Sequence, residues 1–370
     1  MKKRDEMLDL VRGISALLVL LAHIRAFLFK DLGELVNPGI LTKAFYFVTG
    51  IHHQAVMVFF VLSGYFVGGA VCSQIAKHSF SAKQYAVARL SRLWMVLFPA
   101  LLLTAACDWI GRTMAESAYS GGLRAAFMSG PTLEVPADLS PRALLGNLLF
   151  LQTIEFPVYG SNGPLWSLAN EFWYYVLFPL FALGFAAYRK TPLKAVLCMV
   201  FAAALCWWLP RVMVSEGSIW LMGVLVWWLP PPAANRWLAV LRLVSSVAFI
   251  GSLAISKTPS MLGSDYSVGL CFAFWVWAWK GVPLPFSAVR RTASGLSDIS
   301  YTLYVCHFPI LFLIGAVWFR GEQFHPGWSG YVWFTGLTLL LLGIGGTMWF
   351  LFERRTDLLR AWLMRRIEKR

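Results

Sequence analysis

Charged residues are scarce in this sequence. Of 370 residues, 14% are Asp, Glu, Lys or Arg, against about 25% in an ordinary soluble domain. That shortfall, beside 58% hydrophobic residues, excludes a water-soluble globular protein. Cysteine is scarce too. The six (Cys72, Cys107, Cys198, Cys206, Cys271 and Cys306) are scattered in or beside apolar stretches. Their spacing matches neither a metal site nor a disulfide framework, so they read as small buried hydrophobes. The Gly-x-Ser-x-Gly nucleophile elbow is missing. No internal repeat and no low-complexity tract breaks the chain, and nothing in it reads as an appended soluble domain.

What is abundant is apolar sequence in runs long enough to cross roughly 30 Å of hydrocarbon. The predicted fold class is all-α: a polytopic helical membrane protein with about ten transmembrane helices, forming a single membrane domain over 1–370. Spans are expected near 8–29, 46–71, 86–110, 164–188, 193–210, 217–231, 238–256, 265–280, 299–319 and 330–352. The basic start resembles a signal peptide, but the apolar run behind it carries Arg12 and ends without a small-residue cleavage site. It is therefore expected to remain as the first span. With ten spans and a cytoplasmic N-terminus, most Lys and Arg fall on the inner side. They include Lys2, Lys3, Arg4, Arg89, Arg92 and the closing group from Arg354 to Arg370. Arg112, Arg124 and Lys257 are among the few placed outside. This asymmetry predicts that both termini are cytoplasmic. The net charge of +14 is then topology signal and attraction to anionic membrane lipid, and requires no nucleic acid.

Five stretches carry groups that lipid does not explain. In the first span, Asp9 and Arg12 are three residues apart and close enough to pair. Arg12 and His23 are eleven apart, which places them on one stripe roughly 16 Å from each other along the axis. Arg12 suits either a snorkelling interfacial role or a functional one. His23 is an intramembrane titratable group and hence a functional candidate, and a neutral imidazole there could take a proton from a hydroxyl. Next, His52-His53 opens the second span, which later contains Ser63-Gly64. That pair reads as a close helix contact rather than a nucleophile. Arg89 and Arg92 share a face at the start of the third span, as anchors or as a phosphate site.

A long connection from about Gly111 to Gly163 has a semi-apolar middle at 142–156, expected to dip toward the membrane. It leads into the fourth stretch, where Asn162-Gly163-Pro164 starts a helix carrying Trp166, Ser167, Asn170 and Glu171. Its aromatic residues suit an interfacial belt or the apolar face of a sugar. In the fifth stretch, Tyr301, Tyr304 and His307 step by three on one face. Pro309 follows and is expected to kink or break the helix.

These five stretches, in this order, resemble the membrane acyltransferase-3 family along essentially the whole chain. Arg12-Gly13-Ile14-Ser15-Ala16-Leu17 through His23 is similar to the family's Arg, ten residues, His signature. Phe59-Phe60-Val61-Leu62-Ser63-Gly64-Tyr65 and Arg89-x-x-Arg92 with Pro99 resemble its second and third motifs. Pro164-Leu165-Trp166-Ser167-Leu168 with Glu171 resembles a fourth. Ser300-Tyr301-x-x-Tyr304-x-x-His307-x-Pro309 resembles the last. Departures are Met57, where many members have Asp, Phe172 in place of a second Glu, and Arg355 in place of Pro after Glu353-Arg354.

The resemblance implies an integral-membrane O-acyltransferase of the bacterial inner membrane. It would take an acyl group, commonly acetyl, from cytosolic acyl-CoA to a hydroxyl of a cell-surface or exported carbohydrate or glycolipid, with no metal. His23 is then the catalytic residue, with Glu171 orienting or tuning an imidazole. Arg12, Arg89 and Arg92 would hold acyl-CoA, while His53, Asn162, Trp166, Ser167, Tyr301 and His307 would shape the acceptor pocket. Buried Arg, His and Glu would equally serve a transporter or flippase for a lipid-linked or anionic substrate, although no two-halved repeat accompanies them.

Overall fold

Apolar runs without β-alternation fold as helices, and in the computed structural model, which describes residues 5–123, 129–257 and 264–368, helices joined by turns and irregular segments make up the described residues. Three isolated bridges are the extended pairings among them. Lys2, Lys3, Arg4, Arg124, Lys369 and Arg370, used above for orientation, lie outside the described residues.

The helices in chain order are α1 (Glu6–Leu28), α2 (Ile40–Val48), α3 (His52–Ser63), α4 (Gly69–Ala76) and α5 (Ala82–Ser117). There follow α6 (Pro141–Leu148), α7 (Trp166–Ala187), α8 (Pro192–Trp208), α9 (Arg211–Trp228) and α10 (Leu238–Ile255). The last four are α11 (Asp265–Ala278), α12 (Ser287–Ile314), α13 (Trp328–Leu351) and α14 (Thr356–Glu368).

Among the described residues, seven helical stretches are long and apolar enough to cross a membrane: Glu6–Leu28, Ile40–Ala76, Ala82–Gly122, Gly163–Ala187, Leu238–Ile255, Ser287–Phe319 and Trp328–Arg366. The other three expected spans exist as helices α8, α9 and α11. They are shorter or more polar: α11 has 14 residues, about 21 Å of helix against 30 Å of hydrocarbon. Helix α9 carries Arg211 and Glu216 in its first two turns.

The chain forms two compact units. The first comprises Met1–Ser15, His53–Ala82 and Asn170–Ser294. In it the end of α3 and the π-type turn Gly64–Gly68 that continues it pack closely against α9. A Cβ on Gly64 would lie 1.8 Å from the Trp220 carbonyl oxygen, and one on Gly223 would lie 1.9 Å from that of Val61. Ser63 supports the same contact by accepting from Trp220 Nε1 at 3.1 Å and facing the Tyr175 hydroxyl at 3.2 Å. Ser63-Gly64 is a close helix contact, in keeping with its reading from sequence.

The second unit comprises Ala16–His52, Lys83–Ala169 and Gly295–Arg370. Here α5 runs beyond its expected end and closes in a π-type turn through Gly122. Within the long connection α6 forms because Ser140 accepts from Ala143 N and Pro141 occupies the first turn. The irregular segment after α6 closes a series of main-chain turns, and buried side chains bond groups that these leave open. Asn147 donates to the Ala143 and Pro157 carbonyls and accepts from Tyr159 N. Gln152 donates to the Leu165 carbonyl at 3.0 Å. Both side chains are fully buried.

Candidate active site

His23 lies buried near the end of α1, in the second unit. Its Nδ1 is 2.8 Å from His307 Nε2, and the rings stack with centroids 5.1 Å apart. His307 Nδ1 in turn is 2.8 Å from the Leu303 carbonyl oxygen, one turn back on α12. A carbonyl can only accept, so His307 Nδ1 carries a proton. In the neutral pair, His307 Nε2 must then accept, and His23 Nδ1 must donate to it. The lone pair of His23 is thereby placed on Nε2. That nitrogen faces the Ser129 hydroxyl at 3.5 Å. The order Leu303 C=O, His307, His23, Ser129 is a relay with a defined direction.

Pro309 takes part in placing His307. The helix is not broken: α12 continues past it to Ile314. A proline has no N–H, so the carbonyl four residues earlier, that of Val305, loses its helical donor. Asn162 Nδ2 donates to the Val305 oxygen at 2.9 Å instead, and also to Thr104 Oγ1 at 3.1 Å. The expected breaker is retained because a side chain from the other segment repairs it. Tyr304 sits on the same face as His307, with ring centroids 6.4 Å apart. Its hydroxyl is 3.1 Å from the Pro164 carbonyl and 2.7 Å from Ser167 Oγ, which also reaches that carbonyl at 3.4 Å. Tyr301 donates to the Leu93 carbonyl at 3.3 Å.

A cavity of about 340 Å³ opens beside this relay, lined among others by Ser129, Thr132, Gly160, Ser161, Gly163 and Trp166. Two glycines allow its walls to close. Gly160 has φ +59, and a Cβ there would lie 2.1 Å from Asp108 Oδ2. A Cβ on Gly163 would lie 1.7 Å from the Ser129 carbonyl oxygen. Asp108, fully buried, accepts from Ser161 N at 2.6 Å and from Ser161 Oγ at 2.7 Å. It fastens this wall to α5.

Of the residues singled out from sequence, His23, His307, Asn162, Trp166, Ser167 and Tyr301 all belong to the second unit. Trp166 lines the cavity, whereas Asn162 is wholly buried in bracing α12. Arg89 and Arg92 are also in this unit, on α5: the Arg89 guanidinium lies over the Tyr85 ring at 5.9 Å, and Arg92 is exposed.

Arg12, His53 and Glu171 belong to the first unit. Arg12 bonds to Asp9 at 3.2 Å, the pairing expected from their spacing. His53 Nε2 pairs with Asp265 at 2.9 Å. Glu171 accepts from the Tyr175 hydroxyl, and Asn170 donates to Glu216 at 2.7 Å.

Two further residues were not selected from sequence. His52, next to the selected His53, is the one whose ring lies beside His23, at 5.4 Å. Adjacent residues on a helix point about 100° apart, so one of the pair had to face elsewhere. Ser129 sits in a connection with no periodicity to mark it.

A family model described as an acyltransferase domain matches residues 5–350. The chain belongs to the acyltransferase-3 family. Its long apolar helices are those of a multi-pass membrane protein. The chain is also 28% identical over 136 residues to a Haemophilus influenzae protein described as uncharacterized. That match covers 36% of this chain and 49% of the relative, so the chain spans about half of its length. No solved structure matches the chain.

Proposed function

We propose that the protein is an O-acyltransferase moving an acyl group, acetyl in the simplest case, from acyl-CoA to a hydroxyl of an envelope or exported carbohydrate. The alignment of His23 Nε2 with a hydroxyl at the edge of a cavity carries this reading. O-acyl transfer needs a base within reach of a hydroxyl proton. The relay through His307 leaves the basic lone pair on the nitrogen that meets one. Trp166 gives the cavity an aromatic wall suited to the apolar face of a sugar ring, beside hydroxyl and main-chain groups suited to its polar edge.

Donor binding is assigned to cations. Arg89 and Arg92, one turn apart on α5, supply guanidinium groups that suit the phosphates of CoA; Arg12, in the other unit, is a separate candidate. The Arg12–Asp9 pair limits how much of that charge Arg12 lends. Family membership favours transfer over the transport alternative, since a carrier for an anionic substrate has no need of a base facing a hydroxyl.

The test is acetyl-CoA consumption by the purified protein in lipid nanodiscs, paired with mass spectrometry of surface glycans from cells with and without the gene. Loss of an acyl increment from the glycans, reproduced by His23→Ala in a membrane-inserted protein, is the expected result. Full glycan acylation in the His23→Ala strain would refute the assignment.

A further inference from the structure

The hydroxyl that meets His23 Nε2 belongs to the protein itself. Three hydroxyl side chains among the cavity-lining residues can be compared. Ser161 is committed to Asp108, to which its Oγ donates at 2.7 Å. Thr132 Oγ1 accepts from Val135 N at 2.9 Å within its own turn. Ser129 is the one whose Oγ faces the lone-pair nitrogen of an imidazole. That imidazole is oriented by a second group, His307, itself oriented by a main-chain carbonyl. A hydroxyl, a base within reach and a group that fixes the base's tautomer are the three parts of an activated nucleophile.

We propose that Ser129 carries the acyl group covalently between donor and acceptor, which deepens the acyltransferase reading and rests on it. In the first half, the Ser129 Oγ–H proton passes to His23 Nε2 as Oγ attacks the thioester carbonyl of the donor. The C–S bond breaks, and the departing sulfur takes the proton from Nε2 to leave as a thiol. Ser129 is then an ester. In the second half, an acceptor hydroxyl gives its proton to the same Nε2 and attacks that ester. The bond from the acyl carbon to Ser129 Oγ breaks, and Oγ recovers the proton. No oxidant, reductant or metal is consumed, and Nδ1–H of His23 stays on His307 throughout.

Two features beyond the His23 contact support this route. The cavity, at about 340 Å³, is at the small end of ligand pockets. It suits the acyl end of a donor and a sugar in succession better than both together. The segment bearing Ser129 is also seated closely: its carbonyl abuts Gly163, where any side chain would push it away. A nucleophile must be held to be effective.

The experiment is acid quenching of the full-length protein in nanodiscs with acetyl-CoA and no carbohydrate, followed by peptide mass spectrometry. An acetyl group on the peptide containing Ser129 is expected in the wild type and absent from His23→Ala. Ser129→Cys should carry the group as a hydroxylamine-sensitive thioester. Ser129→Ala should lose transfer by about 100-fold or more while eluting and melting as the wild type does. Acetyl-CoA turnover with the label on His23, or with no protein adduct in either wild type or Ser129→Cys, would overturn the serine route and leave the acyltransferase reading intact. Glycan acylation at the wild-type rate by Ser129→Ala would do the same. Absence of any acetyl-CoA turnover by the wild type, with glycans unchanged in the cells lacking the gene, would overturn both.

Discussion

His307 stands between a main-chain carbonyl and His23, and this order selects the nitrogen of His23 that is left to accept a proton. With Nδ1 on the Leu303 oxygen and Nε2 toward His23 Nδ1, both at 2.8 Å, His307 acts as an orienting group. A carboxylate in that place would bring a charge into the membrane; an imidazole held by a carbonyl brings none.

Removing this orienting group should therefore slow the chemical step without weakening binding. For His307→Ala we expect kcat for acyl transfer to fall by roughly 10²-fold or more, with the acceptor KM close to wild type. His307→Gln, whose side-chain oxygen can accept from His23 Nδ1, should recover part of the loss. Initial rates on purified protein decide the matter. A raised acceptor KM at unchanged kcat would instead make His307 a wall of the acceptor pocket, the role its motif suggests.

The bond from Asn162 to the Val305 carbonyl replaces the donor that Pro309 lacks, and the two residues should be coupled. Asn162→Leu leaves a buried carbonyl unsatisfied and should lower stability by about 1–3 kcal/mol. Pro309→Ala restores the helical N–H. The double variant should thus be more stable than Asn162→Leu alone. Thermal melts of the four proteins in one detergent form a double-mutant cycle, and strict additivity would mean that the Val305 carbonyl is not shared between them.

Much of this protein is legible from its sequence because lipid is an unforgiving solvent. Apolar length marks the spans, and each polar group left in a span needs a reason. His23, His307, Arg12 and Glu171 stand out on that ground. Three short or polar spans were placed by pattern, and they appear as helices α8, α9 and α11. What the pattern does not carry is any pairing between distant segments. His52 and His53 are indistinguishable until the rotation of α3 is known, and Ser129 lies where no period applies. Pro309 looks like a breaker because its remedy, Asn162, is 147 residues away in the chain. The Asp108 carboxylate was hidden for the same reason, since its partner Ser161 is in another segment.

Asp108 fastens the Gly160–Ser161 wall of the cavity through two bonds, one from a main-chain N–H. In Asp108→Asn the remaining oxygen can keep the Ser161 N–H, but the amide can only donate to Ser161 Oγ, so that bond reverses and both lose their charge assistance. The wall should loosen, so acceptor KM should rise about tenfold while the donor KM holds. Asp108→Ala should be worse, since the Ser161 N–H and hydroxyl both lose their acceptor. Acceptor and donor KM values measured separately on each variant provide the check. An equal rise in both would indicate general loss of structure.

Arg89 and Arg92 lie one turn apart on α5, and Arg92 is exposed. If they hold the phosphates of acyl-CoA, they do so where salt screens charge, at a Debye length of about 8 Å in physiological buffer. The donor KM of the wild type should therefore rise with ionic strength. Arg89→Ala/Arg92→Ala should raise that KM by about 10–100-fold at low salt, from the loss of two charge-assisted bonds, and should flatten its salt dependence. The lysine pair should recover the salt dependence but only part of the affinity, because an ammonium cannot make the two-pronged contact of a guanidinium. A fall in kcat at constant donor KM would place these arginines in anchoring the helix, and the donor's phosphates would need another partner.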